Sequence, residues 1–142
     1  MKKIAIVTYN RIGQGQYPNG VIQKEGTEIY LAQNGHLSKW AAPAEIEEEE
    51  RVIVRERAAQ SVVQQIKLED MDHVYLYVGN SGGEETIRQT KEISADKITY
   101  VMCDCNSGLK RRLIQEAGNA NAELIYAECG GRETLQEILE KL

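Results

Sequence analysis

The chain has 142 residues, of which 42% are hydrophobic and 27% are charged, values typical of one globular domain and not of a disordered or fibrous chain. Its formal net charge of −5 disfavours an extended nucleic-acid surface or a membrane surface, which would need an excess of Lys and Arg. No apolar stretch approaches the length needed to cross a bilayer.

The first part of the chain predicts a strand followed by a small antiparallel meander. Residues 3–9 form an apolar strand, and a Gly-rich stretch covers 11–20. Glu25-Gly26 and Asn34-Gly35 then separate short β-type segments, and Asn-Gly tolerates the positive φ angles of a two-residue type I′ turn. We therefore predict antiparallel pairing around both turns, among the segments 21–24, 27–33 and 36–40.

A long charged helix is predicted over 44–67, after the break at Pro43. Four glutamates at 47–50 occupy its first turns, where the helix dipole favours negative charge. Its buried face is predicted to consist of Val52, Ala59, Val63 and Ile66. The segment 52–54 also fits a strand, which leaves the start of the helix open.

The second half predicts three β-α units. Short, nearly continuous apolar runs at 73–79, 98–103 and 124–128 are typical of strands buried on both faces of a parallel sheet. Their spacing leaves room for a helix between consecutive strands. Apolar stripes predict helices near 109–117 and 135–142, and the capping-box pattern Ser81-Gly-Gly-Glu84 supports one near 84–93.

These elements predict a single α/β domain over residues 1–142. Its mixed sheet has an N-terminal antiparallel meander followed by the three β-α units, with helices on both faces. The order fits a Rossmann-like or an RNase H-like three-layer arrangement, and either fold is compatible with many functions.

Small and polar residues follow the ends of the predicted parallel strands. Ligands of open α/β sheets bind outside the carboxyl ends of such strands, where glycine permits close approach and helix N-termini attract anions. The same residue types also favour ordinary turns. The predicted ligand-binding residues are Asn10, Arg11, Asn80, Ser81, Gly82, Gly83, Asp104, Asn106, Ser107, Gly108, Lys110, Arg111, Gly130, Gly131 and Arg132.

Charge distinguishes these loops from one another. Glu84 and Glu85 follow the Ser81 turn and make it a poor phosphate site. Lys110 and Arg111 follow the 106–108 turn, where side chains and helix dipole together favour an anion. The alternative interpretation of 110–112 is a solvent-exposed cationic helix face.

The Ser81-Gly-Gly turn after a strand resembles the ligand-facing turn of CARF domains, which sense cyclic oligoadenylates. The resemblance covers a few residues of this one loop, and the antiparallel meander departs from the strand order usual in those domains. It implies a nucleotide-type ligand at this edge and, as one form of the enzyme alternative, a ring nuclease.

The three cysteines, Cys103, Cys105 and Cys129, are an odd number and form no CxxC pair. The apolar run 4–7 is too short for a secretion signal, so we expect reduced thiols in a cytoplasmic protein. No metal site is predicted, and the sequence does not identify a cofactor.

The leading hypothesis is a ligand-binding domain for an anionic, nucleotide-like small molecule, acting as a sensor or regulator and expected to form a homo-oligomer such as a homodimer. One alternative is a metal-dependent phosphodiesterase or nuclease that uses Asp104 and Glu128. Against an RNase H-like nuclease, the first strand ends in Thr8, Tyr9 and Asn10 and carries no acid. Another alternative is a protein interaction module. No catalytic residue is assigned.

Overall fold

The computed structural model describes residues 1–8, 11–33, 58–78, 92–103 and 122–142, together with 111, 112, 114, 115 and 118. Its strands are β1 (Lys2–Thr8), β2 (Gly20–Lys24), β3 (Thr27–Gln33), β4 (Asp70–Val78), β5 (Ser94–Cys103) and β6 (Glu123–Ala127). Helix α1 covers 58–68, residues 111, 112, 114, 115 and 118 are helical, and α2 spans Arg132–Lys141. A short 3-10 turn at Ile12–Gly15 follows β1.

The six strands of the described residues belong to one mixed sheet in the order β2-β3-β1-β4-β5-β6. Only β2 is antiparallel to its neighbour, and every other adjacent pair is parallel. Numbered along the chain, the five parallel strands have the order 2-1-3-4-5, one of the two common doubly wound orders. Of the two arrangements that the sequence leaves open, the topology is therefore the Rossmann-like one.

The predicted strands that fall within the described residues are confirmed, although β6 is only partly buried and not buried on both faces as predicted. Strands β4 and β5 begin several residues earlier than their apolar runs indicate. Asp70 and Ser94 pair at the amino ends of these strands, ahead of the buried stretches. Polar residues such as Asp96 are accommodated there because the amino ends are exposed, and backbone pairing continues past the apolar core.

The Glu25-Gly26 turn is confirmed, since β2 and β3 pair antiparallel on either side of it. From Thr27 to Leu31, β3 has β2 on one side and β1 on the other, so neither edge is available there to a third meander strand. The predicted Asn34-Gly35 turn and its partner segment 36–40 lie outside the described residues.

Hydrophobic clusters cover both faces of the sheet and give the domain three layers. On one face, Ala59, Val62 and Ile66 of α1 pack against the sheet, so Val62 contributes more to the buried face than the predicted Val63, which is only partly buried. On the other face, Leu135 and Leu139 of α2 pack with the 3-10 turn and the central strands. No helix in the described part of the chain has the length and apolarity that a membrane span requires.

Candidate functional site

The strand order creates a switch point between β1 and β4. These two strands are parallel neighbours, but from β1 the chain continues toward β2 and β3, whereas from β4 it continues toward β5 on the opposite side. In doubly wound sheets, ligands bind outside the carboxyl ends of the strands at a point where the connections diverge in this way. Thr8, the last residue of β1, is buried there.

The loop that follows β1 is held in place by Gln33, the last residue of β3. Its side-chain Oε1 accepts a hydrogen bond from the Ile12 N–H at 2.6 Å, and its Nε2 donates to the Tyr17 carbonyl at 2.8 Å. The Gln33 side chain is buried, and both of its polar ends are satisfied by backbone groups of this loop.

Asn19, the residue before β2, makes two further hydrogen bonds with the backbone of Gln33. Its side-chain oxygen accepts the Gln33 N–H at 2.6 Å, and its side-chain nitrogen donates to the Gln33 carbonyl at 3.0 Å. The amide group thus continues the sheet hydrogen bonding at the end of β3. Together, Gln33 and Asn19 fix the loop after β1 beside this switch point.

Toward the β6 edge of the sheet, the loop that follows β6 packs on Tyr77 of β4. The Gly130 N–H donates to the Tyr77 hydroxyl at 3.0 Å, and the Gly131 N–H closes a turn onto the Glu128 carbonyl at 2.9 Å. Burial and a side-chain hydrogen bond with Cys103 raise the pKa of the Tyr77 hydroxyl well above its ordinary value. Tyr77 is therefore a neutral hydroxyl that links the ends of β4, β5 and β6.

Glu128 caps the N-terminus of α2. Its Oε1 accepts the N–H groups of Glu133 at 2.6 Å and Thr134 at 3.0 Å, and its Oε2 accepts the Thr134 hydroxyl at 2.6 Å. Desolvation opposes ionisation of this carboxyl, but the hydrogen bonds outweigh it and lower its pKa. The capping position itself is Gly131, which has no side chain to serve as a cap.

These contacts reduce the number of backbone N–H groups that the predicted site at 130–132 has available for binding an anion. The N–H groups of Gly130, Gly131, Glu133 and Thr134 all donate within the protein. Arg132 is exposed at this end of the helix. The carboxylate of Glu128 already occupies the position that a phosphate would take at a helix N-terminus.

Few of the other residues predicted to bind the ligand fall within the described part of the chain. Arg11 follows β1, is partly buried and is engaged in an interaction, while Arg111 is helical and exposed. The remaining predicted contacts lie outside the described residues: Asn10, Asn80, Ser81, Gly82, Gly83, Asp104, Asn106, Ser107, Gly108 and Lys110.

The described residues contain no group of three or more His, Cys, Asp or Glu side chains arranged to hold a metal ion. Both carboxylate oxygens of Glu128 are used in capping α2. Cys103 is buried and Cys129 is exposed, and neither forms a disulfide within the described part of the chain.

Sequence reasoning missed Gln33, Asn19 and Tyr77 as residues that shape this edge. One signal was available for Gln33, a polar residue that ends the otherwise apolar run of β3 and must find hydrogen-bond partners if it is buried. No comparable signal identifies Tyr77, because a tyrosine in an apolar strand fits the core equally well. Comparisons of the chain with family models, with curated proteins and with solved structures give no match.

Proposed function

We propose that this domain binds an anionic, nucleotide-like small molecule at the carboxyl edge of its parallel strands and acts as a sensor or regulator. The observation that carries the proposal is the strand order, which sets β1 beside β4 with diverging connections. In doubly wound sheets the crevice at such a point is the usual ligand site.

The hydrogen bonds within the loops after β1 and β6 restrict where the charged part of the ligand can bind. After β1 the Ile12 N–H is taken by Gln33, and after β6 the helix N-terminus is taken by Glu128. Neither backbone therefore supports strong anion binding at those positions. We propose that the loops after β4 and β5 contact the phosphate-like group, and that the fixed loop after β1 contacts the remainder of the ligand.

This arrangement favours a compact ligand. The ends of β1, β4 and β5 are three adjacent strand positions, which together span about 10 Å at the usual strand spacing. That distance suits a mononucleotide or a similar phosphorylated metabolite. Arg11 supplies positive charge on the β1 side, within a chain that is acidic as a whole.

The test is a binding screen followed by localisation. Adenosine 5′-monophosphate, guanosine 5′-monophosphate, inorganic phosphate and uncharged adenosine are compared by thermal shift without divalent metal. Amide chemical shifts then locate any binder, and we expect changes at Thr8, Arg11 and Ile12 with none at Glu133 and Thr134. Loss of affinity in Arg11→Gln, with none in the matched variant Arg132→Gln, supports the site. Absence of binding by every charged compound contradicts the function.

We also propose that the domain works in the cytoplasm as a homo-oligomer. The odd number of cysteines, which cannot all pair within the chain, supports a reducing compartment. The hydrolase alternative is less well supported, because Glu128, one of the two carboxylates it requires, has both oxygens engaged as a helix cap. Metal-dependent turnover of a cyclic or linear dinucleotide would restore that alternative.

A further inference from the structure

Strand β6 forms one edge of the sheet, and within the described residues it pairs only with β5. This pairing runs without interruption from Glu123 to Ala127, so no bulge turns the strand away from its edge position. Alternate N–H and C=O groups of an edge strand point away from its neighbour and can pair with another strand. In the described part of the molecule, the outer side of β6 can therefore accept a further strand.

The side chains of β6 do little to prevent such pairing. The strand has the sequence Glu-Leu-Ile-Tyr-Ala, without the Lys or Pro that commonly protects a sheet edge. Its one charged side chain, Glu123, is bound by Lys97 of β5, with Nζ 2.8 Å from Oε2. Tyr126 is 53% exposed, and Leu124 and Ile125 are only partly buried. The β6 edge is therefore apolar and incompletely covered.

The opposite edge of the sheet, β2, is more polar. Its five residues begin with Gly20 and end with Gln23 and Lys24. Lys24 Nζ donates to the Leu139 carbonyl at the end of α2, at 2.8 Å. Val21 is exposed on this strand, but a lysine and a glutamine follow it along the same edge. Of the two edges, β6 is the one better suited to binding another strand.

The order of residues in β6 suits pairing with a second copy of itself. Two edge strands related by a two-fold axis perpendicular to the sheet run antiparallel, and residues that face each other lie on the same side of the joined sheet. With the axis at Ile125, Leu124 of each copy faces Tyr126 of the other, and Glu123 faces Ala127. This register opposes no like charges, whereas an axis at Glu123 would set two carboxylates against each other.

We propose that a second copy of this chain binds along β6, so that the two sheets join through an antiparallel β6–β6 contact. This interface rests on the homo-oligomer proposed above and deepens it, and it needs no ligand. The contact between Leu124 and Tyr126 forms twice, once on each side of the axis, and the two Ile125 side chains meet on the other face of the sheet. Because each copy has a net charge of −5, salt should strengthen the dimer.

Sedimentation equilibrium of the unmodified protein from about 5 to about 500 µM tests for the dimer, a range that suits an interface of modest area. Tyr126→Lys places a charge against Leu124 of the second copy on both sides of the axis. We expect this substitution to raise the dimer dissociation constant at least about tenfold. Val21→Lys makes the same charge change at an exposed apolar residue of the opposite edge, so it is the matched control and should not weaken the dimer.

A protein that stays monomeric over the whole range overturns both this interface and the proposed homo-oligomer. A dimer that Tyr126→Lys leaves intact, or that Val21→Lys weakens equally, overturns the interface alone. If Tyr126→Lys does not fold, amide hydrogen exchange of the unmodified protein takes its place. Raising the protein concentration should then slow exchange within Glu123–Ala127 and leave Gly20–Lys24 unchanged, and a dimer that forms without slowing exchange in β6 overturns the interface.

Discussion

The ring of Tyr77 lies directly against the backbone of Gly131, so close that a Cβ atom at this glycine would be 2.5 Å from the ring. Gly131 also has φ +65°, in the left-handed region that side chains other than glycine rarely adopt. This contact brings the start of α2 onto the end of β4, and it explains why a glycine stands at the capping position of the helix. Glu128 then supplies the cap from outside that position.

Gly131→Ala should lower the free energy of unfolding by roughly 2–5 kcal/mol, because it combines a left-handed alanine with overpacking against a buried ring. Gly26→Ala is the matched control. It has a similar φ of +73° but no atom within 4 Å of its Cβ position, so only the conformational cost of about 1–2 kcal/mol applies. Urea denaturation measures both, and equal losses would show that the Tyr77 contact is unimportant.

Gln33→Leu should lower the free energy of unfolding by about 1–3 kcal/mol, the usual cost of an unsatisfied buried group. It leaves the buried Ile12 N–H without its partner, and it also removes the partner of the partly buried Tyr17 carbonyl. The exposed Gln23→Leu on β2 should change stability by less than about 0.5 kcal/mol. If thermal and urea denaturation find both variants alike, solvent replaces the Gln33 contacts at little cost.

Glu128→Ala should reduce stability at neutral pH by about 0.5–2 kcal/mol, the usual cost of losing an N-terminal helix cap. The folded-state pKa of Glu128 is lowered from 4.5, so its contribution is fully present above that value and is lost as pH falls through the folded pKa. The difference between the two proteins should therefore shrink in acid. Glu137→Ala, on the exposed face of α2, serves as the control, and a pH-independent difference would contradict the capping role.

The native protein should expose Cys129 and protect Cys103 from thiol reagents, because the first is exposed and the second is buried at the end of β5. Titration with Ellman's reagent should show rapid reaction of Cys129, and Cys129→Ser should remove that phase. Under denaturing, non-reducing conditions we expect all three thiols of the chain to react. A count of one would indicate an internal disulfide and contradict the reduced state predicted for Cys103, Cys105 and Cys129.

Arg111→Glu should weaken a bound anion strongly, because a charge-assisted hydrogen bond contributes about 1.5–3 kcal/mol, equivalent to roughly ten- to a hundredfold in affinity. Glu85→Gln should change affinity little or improve it. Calorimetry with whichever compound the screen identifies compares the two. Equal losses, or a ligand unaffected by Arg111→Glu, would assign 110–112 to a solvent-exposed helix face.

Local sequence patterns predicted the strands well because a strand that is buried in the sheet shows this in its own run of apolar residues. The apolar runs that include Val74, Leu76, Val101 and Met102 are buried in the sheet, as their continuity indicates. The Glu25-Gly26 turn was also readable from the sequence, since Gly26 adopts the positive φ that a tight turn requires. Parallel pairing of the last three strands followed from the length of chain between them.

By itself, the sequence thus determined which of the described segments are strands, where the Glu25-Gly26 turn falls, and that small polar residues follow the predicted parallel strands. Only the tertiary structure decided that β3 lies beside β1, that β1 lies beside β4, and that Gln33 and Glu128 use the N–H groups of two loops at this edge. The reason is physical: hydrophobic periodicity records how deeply each residue is buried, but not which strand is its neighbour. A buried amide or carboxylate finds its partners through the packed fold, as Gln33 does with Ile12, 21 positions away in the chain.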